Sequence, residues 1–257
     1  SRAAVLTGYY AQQVRRDTLP GVKSGNGGKR PAWARLLPEY LRPLGYRSYH
    51  SGKWHVDGPV LAGGFDHSYS LNDHDRYFNP HQHTLDDRPL PVVEAGSGYY
   101  STTAIAQHAI DMLAEHQVQH RAQPFFLYLA FTSPHFPLHA LPEDIAVYRD
   151  RYQAGWDVMR QERYDRMKQM GLVNCALSQL VPAVWPDYNP SPAELREKVG
   201  PGEAGRAIPW ASLTGEQQQF QPVKMAIHAA MIHRMDIEIG RVIAQLKAAG
   251  GFEDTVL

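Results

Sequence analysis

The chain has 257 residues, 43% hydrophobic and 20% charged, a composition that supports a sizeable buried core and excludes intrinsic disorder. Its 26 basic and 26 acidic side chains cancel, so the global basic field that nucleic-acid binders use is absent and any anion recognition must be local. One cysteine, Cys175, excludes a disulfide within the chain, and the longest apolar run, 125–131, is far short of the roughly 20 residues of a membrane span.

In chain order, Arg2 is followed by a short apolar stretch, Ala3 to Thr7. Gly21 to Pro31 is Gly-rich and reads as a loop, without the Gly-Lys-Ser/Thr ending of a phosphate-binding Walker loop. Ala32 to Leu44 carries Trp33, Leu36, Leu37, Tyr40, Leu41 and Leu44 at helical spacing, which predicts an amphipathic helix capped by Gly45. A strand over Tyr46 to Tyr49 then delivers Lys53 and His55 at its end, the usual place for a site in an open α/β sheet. On an extended segment residues i and i+2 share a face, so one cation and one proton carrier aim at one spot. That pairing suits an anionic substrate, because Lys is a compact charge and imidazole exchanges protons near neutral pH.

Gly63 to Pro91 lacks clear periodicity and is dense in Asp66, His67, Asn72, Asp73, His74, Asp75, His81 and His83. The spacings match no familiar metal pattern, and the stretch reads as a polar rim around a substrate entrance, with Asp73 and His74 as substrate contacts. Thr102 to Gln117 shows a helical stripe preceded by Ser101 as a candidate cap. Phe125 to Phe131 is apolar without alternation, which suits a central strand covered on both faces. His135 follows, framed by Pro134 and Pro137, which restrict its backbone.

Asp144 to Met170 reads as an exposed helical excursion whose charges are solvated, and Cys175 as a buried or semi-buried thiol without a catalytic role. Pro182 to Pro222 reads as a loop-rich insertion or lid. Val223 to Ala249 carries a helical core stripe, and Glu253 to Leu257 a turn entering a strand.

Three of these stretches occur in a telling order: Ser1-Arg2-Ala3-Ala4-Val5-Leu6-Thr7-Gly8, then Gly52-Lys53-Trp54-His55, then the run from Pro124 through His135 to Leu138. They resemble the signatures of the sulfatase family, in its arylsulfatase branch within the alkaline phosphatase superfamily, and the resemblance runs nearly end to end. It implies an α/β fold over residues 1–257, with a mixed, largely parallel central sheet and helices on both faces. The N-terminal signature begins here at its fourth position, so the resemblance places the nucleophile, a Cys or Ser oxidised to formylglycine, three residues before Ser1. Calcium or magnesium ligands would lie beyond the ends, with no metal ligand in this sequence, and the chain is expected to be an internal fragment, inactive alone. Asp236 and Gly240 match the helix that precedes the family's C-terminal metal-binding strand.

Carried over from the resemblance, Arg2 holds the formylglycine hydroxyls, Lys53 bridges nucleophile and sulfate oxygen, and His55 takes a proton as the sulfated intermediate collapses. His135 contacts the sulfate and the bridging oxygen, either donating the leaving-group proton or orienting a lysine, expected beyond Leu257, that does. Tyr9 and Ser48 depart from the residues common at their positions without touching an expected sulfate contact. The implied partners are a small-molecule or carbohydrate sulfate ester and a formylglycine-generating or sulfatase-maturating enzyme, and the implied compartment is periplasmic or secreted. The alternatives are a phosphodiesterase or phosphonate monoester hydrolase of the same superfamily, and a noncatalytic sulfated-glycan binder.

Overall fold

The structure, a computed structural model, describes residues 2–17, 28–181 and 190–257. The chain divides into two compact units, residues 1–137 with 232–257, and residues 138–231. In the first unit the strands are β1 (Arg47–Gly52), β2 (His67–Leu71), β3 (His83–Leu85), β4 (Arg88–Pro89) and β5 (Phe125–Ala130). They form one mixed sheet in the order β4-β3-β2-β1-β5. β1 runs parallel to both β2 and β5, with Gly52 opposite Ser70 on one side and Ala130 on the other, while β3 and β4 are antiparallel additions. This is the expected mixed sheet with a parallel centre.

Helices cover both faces. The long helix α3 (Ser101–Gln119) and the last turns of α7 (Gly215–Ala248) bring Ala106, Ala109, Leu113, Val242 and Leu246 together over Phe125, Leu127 and Leu129. On the other face Phe126 and Tyr128 pack with Trp54, Phe65, Leu36 and Leu6, the last contributed by α1 (Arg2–Thr7). Strand β5 therefore has apolar neighbours above and below, which explains its unbroken apolar run. Its position differs from the expectation: it lies at an edge of the described sheet, and residues 125–129 are half-buried rather than sealed.

Several boundaries also moved. The helix expected over 32–44 shrinks to α2 (Leu37–Leu41) and a 3-10 turn at Arg42–Leu44, with Gly45 in the left-handed conformation at φ 85°. Pro38 forces this: lacking an N–H, it fits only the first turn of a helix. Trp33, Tyr40 and Leu44 of the expected stripe stay exposed. Strand β1 starts and ends later than expected, with Ser48, His50 and Ser51 buried in it. Ser101 is the first residue of α3 rather than its cap, and its hydroxyl donates to the Tyr77 carbonyl at 3.0 Å. Residues 255–257 form no strand, and Val256 and Leu257 are exposed. No helix among the described residues is long and apolar enough to cross a membrane.

The second unit contains α4 (Pro142–Tyr148), α5 (Gly155–Gln169) and α6 (Pro192–Val199), together with α7 as far as Met231. Within the stretch read as a loop-rich insertion, residues 182–189 lie outside the described residues, α6 is a regular helix opened by a Ser191/Glu194 capping box, and α7 has already begun by Gly215. Residues 21–27 of the Gly-rich loop likewise lie outside the described residues. Cys175 is exposed, contrary to the expectation of a buried thiol, because it follows α5 in an open segment without an apolar cover.

Candidate active site

The sheet order sets the site. Because β2, β1 and β5 are parallel neighbours, their carboxyl ends lie side by side, and each is followed within a few residues by one of the expected side chains. Lys53 and His55 follow β1, Asp73 and His74 follow β2, and His135 follows β5. Gly52 makes the junction possible. At φ 121° it adopts a backbone that L residues avoid, and a Cβ there would sit 2.2 Å from the Ala130 carbonyl oxygen. The same carbonyl accepts the Lys53 backbone N–H at 2.8 Å, tying the start of the loop to the end of β5.

Arg2 reaches this end from α1. Its guanidinium donates to the Phe131 carbonyl at 2.9 Å and to the Tyr128 hydroxyl at 3.4 Å. The His74 and His135 rings meet edge to face with centroids 4.7 Å apart. The Tyr77 hydroxyl donates to the His135 backbone carbonyl at 2.9 Å, and the peptide bonds before Pro134 and Pro137 are cis.

Electrostatics binds the group together. Burial, and then the charge of Arg2, lowers the Lys53 ammonium below the usual lysine range. His55 is pushed down by burial and then by Lys53, Arg16, Arg2 and His74. His74 is pushed down by burial and then by Lys53 and His135, against a backbone hydrogen bond at Asn72 and the charge of Asp75. Arg2 and Lys53 thus form a cationic pair beside the His55 and His74 imidazoles, whose protonation it disfavours and an anion would favour, with the His135 ring against His74. The route to it differs in one respect from the i, i+2 expectation. His55 has φ 51°, so Lys53 to His55 is not extended; the half-buried Lys53 and the exposed His55 come together through the turn around buried Trp54.

Asp73, directly before His74, is engaged through one carboxylate oxygen. Its Oδ2 accepts the His81 backbone N–H at 2.6 Å and lies 4.0 Å from Arg76, so its carboxylate closes its own loop and fixes the entry to His74. Three aspartates of the stretch hold the scaffold, while Asn72, Asp75 and His81 are exposed. Asp66 accepts Ser48 N–H and pairs with Arg47, Asp86 accepts Ser68 N–H, and Asp87 accepts the N–H groups of Val60 and Leu61. Sequence reasoning passed over the supporting residues Tyr77, Tyr128 and His50. His50 is fully buried behind Lys53, hydrogen-bonded to Ser68 Oγ at 2.9 Å, and burial lowers it to about 3. Their only sequence signal is adjacency to the motifs.

Among the described residues no group of three or more His, Cys, Asp or Glu side chains is arranged to hold a metal ion. The cluster itself is cationic, and calcium or magnesium requires several oxygen donors, so these residues do not fit a metal.

Fold and site together define an α/β protein with a cationic centre at the carboxyl ends of parallel strands. The chain belongs to the sulfatase family: that family's model, Sulfatase, matches residues 1–257. It is 31% identical to an uncharacterized sulfatase of Schizosaccharomyces pombe over 96% of this chain and 44% of that protein. The arylsulfatase of Klebsiella aerogenes is 29% identical, over 86% of this chain and 45% of the relative. The chain therefore spans under half the length of these curated relatives. Human N-acetylglucosamine-6-sulfatase is 29% identical over 56% of this chain and 27% of its own. Among solved structures, one described in complex with its substrate D-glucosamine-2-N,6-O-disulfate superposes with a TM-score of 0.55 at 18% identity, over 98% of this chain and 52% of that one. The phosphonate monoester hydrolase of Silicibacter pomeroyi gives 0.53 at 18% identity, over 99% and 50%. These two likenesses establish the fold alone.

Proposed function

We propose that this chain carries the oxyanion-binding and proton-transfer side of an active site that hydrolyses sulfate monoesters, of aryl alcohols or of carbohydrates. The observation that carries this reading is the convergence of Arg2, Lys53, His55, His74 and His135 at the strand ends, where burial and neighbouring positive charge lower Lys53, His55 and His74. Membership of the sulfatase family and the relatives named for aryl and amino-sugar sulfates support it. The resemblance implies a formylglycine, whose hydroxyls Arg2 would hold, and a divalent ion, and no step is assigned to either. A formylglycine-generating or sulfatase-maturating enzyme would be the partner of the full-length protein.

In this reading Lys53 and Arg2 stand opposite the sulfate oxygens, where charge-assisted hydrogen bonds in a partly dehydrated site stabilise the charge that builds up as the S–O bond breaks. Burial and the neighbouring positive charges favour the neutral, proton-accepting form of His55, while His135 would contact the leaving oxygen, either donating its proton or orienting a lysine that does. His74 braces His135 edge to face.

Two experiments test the proposal. In the full-length enzyme Lys53→Ala should lower kcat for an aryl sulfate by on the order of a hundredfold or more while the circular dichroism spectrum is unchanged; near-normal turnover would remove Lys53 from the site. Matched aryl sulfate and aryl phosphodiester substrates should give the higher kcat/KM for the sulfate. Preference for the diester would make the protein a phosphodiesterase or phosphonate hydrolase, and binding of sulfated glycans without turnover of either ester a noncatalytic binder.

A further inference from the structure

The second unit holds a cavity of about 970 Å³ lined by residues of α5, by α7 as far as His228 and by Trp210. On α5 the lining residues Trp156, Arg160, Arg163 and Arg166 are three or four positions apart and so share one face of the helix, with Arg163 and Arg166 exposed at the open side and Met170 just past its end. Glu162 and Asp165 fall off that face, and no carboxylate lines the cavity. Four arginines and a lysine do: Arg151, Arg160, Arg163, Arg166 and Lys224.

Two of these cations are already engaged. Lys224 pairs with Glu203 at 2.6 Å, and Arg160 donates to the Ser178 carbonyl and, at 3.2 Å, to its hydroxyl. Arg151, Arg163 and Arg166 have no side-chain hydrogen bond or ion pair among the described residues. Between the cations the lining is apolar, with Met159, Met167, Met170 and Met225 beside Trp156 and Trp210. The aromatic wall is fixed in advance. Trp156 and Trp210 meet edge to face at 5.0 Å, the Trp156 indole donates to the Ile208 carbonyl at 2.9 Å, and the Trp210 backbone N–H donates to Asp157 Oδ2 at 2.8 Å. Gly155 lets the indole close down, since a Cβ there would lie 2.2 Å from the Trp210 ring. Methionines supply the adaptable remainder, as they do at surfaces that accept varied apolar shapes.

We propose that this cavity binds an amphipathic organic anion, an aromatic body bearing a sulfate or sulfonate group, with its rings against Trp156, Trp210 and the methionines and its anionic group on Arg163 and Arg166. The volume falls in the range of small-molecule sites, and the lining combines a predominantly apolar surface with a few convergent charges of one sign. Paired guanidinium groups suit tetrahedral oxyanions, which accept two N–H donors at once. The proposal stands on residues of this unit alone and does not depend on the activity proposed above.

The test is isothermal titration calorimetry of the full-length protein with 2-naphthalenesulfonate, which has no ester bond to hydrolyse, and with 2-naphthol as its uncharged counterpart. The sulfonate should bind, 2-naphthol should bind at least about tenfold more weakly, and Arg163→Ala/Arg166→Ala should weaken the sulfonate by about tenfold to hundredfold. In a Lys53→Ala background, where the cationic cluster no longer competes for the sulfonate, the binding that depends on Arg163 and Arg166 should persist, which separates the two sites. No binding at millimolar sulfonate, equal binding of 2-naphthol, indifference to the double arginine variant or loss in Lys53→Ala would each overturn the proposal. The first of these outcomes is also the one expected if another part of the protein fills the cavity.

Discussion

Lys53 lies at the centre of the cluster: its charge depresses both His55 and His74, and it is itself depressed by burial and by Arg2. Removing that charge should raise the pKa of both histidines toward 6.5, the ordinary value, and proton NMR titration of the Lys53→Ala imidazole resonances measures it. Unmoved histidines would place Lys53 away from them. An anion acts with the same sign. In the free protein both imidazoles are held neutral, so a bound sulfate, by offsetting the positive neighbours, favours their protonated forms, and below pH 6.5 binding should take up protons. Sulfate titrations in two buffers of different ionisation enthalpy should then give different heats, tighter at lower pH; buffer-independent heats would contradict the cluster. Asp73 shows the opposite logic, since a carboxylate that accepts the His81 N–H has its best donor inside the protein and offers little to a substrate anion.

At the scale of elements, the site depends on how closely β1 and β5 approach at their carboxyl ends. Gly52→Ala would combine a backbone at φ 121° with a Cβ placed 2.2 Å from the Ala130 oxygen, and the expected cost is on the order of 3 kcal/mol. Urea unfolding should show a lower midpoint, and turnover should fall with it because Lys53 N–H loses the Ala130 carbonyl as its anchor; wild-type stability would mean that the strands part easily there. The stretch between β1 and α3 shows why elements were harder to read than motifs. Strands β2 and β3 are built from residues such as His67, Ser68, Ser70, His83 and Thr84, which carry little apolar periodicity. They are stable as strands because the Tyr69 ring stacks on His108 of α3, with centroids 3.9 Å apart, and Asp86 satisfies the Ser68 N–H. α5 is exposed as its sequence reads, with Arg163 and Arg166 open to solvent, and only the placement of α7 and Trp210 makes one face of it the wall of an open cavity.

For the molecule as a whole, buried imidazoles make stability sensitive to acid. His50 has no exposed surface and is lowered to about 3 by burial, while His108 and His116 are lowered, again chiefly by burial. An unfolded chain protonates these groups below the ordinary 6.5, so their neutral folded forms are at no disadvantage above that pH. As pH falls, the unfolded state gains protons that the folded state refuses, and stability drops by up to about 1.4 kcal/mol per pH unit for each such histidine. His50→Gln should lower stability at pH 7 and make the decline between pH 7 and pH 5 shallower, measured as urea midpoints across that range. An unchanged slope would show that His50 is solvated.

The chain order of Arg2, Lys53, His55 and His135 was legible without coordinates because each lies in a short contiguous motif, and so were the apolar β5, the helix α3 and the long α7, whose periodicity is local. The sequence alone determined the family and the presence of a local cationic site in a chain without net charge. Tertiary structure decided the rest: the parallel neighbours that bring three strand ends together, the inward turn of Asp73, the half-covered edge of β5 and the one-signed lining of the α5 cavity. The physical reason is range. Periodicity and motif spacing report on residues a few positions apart, whereas burial, charge coupling and strand neighbours depend on residues that the chain brings together from distant positions.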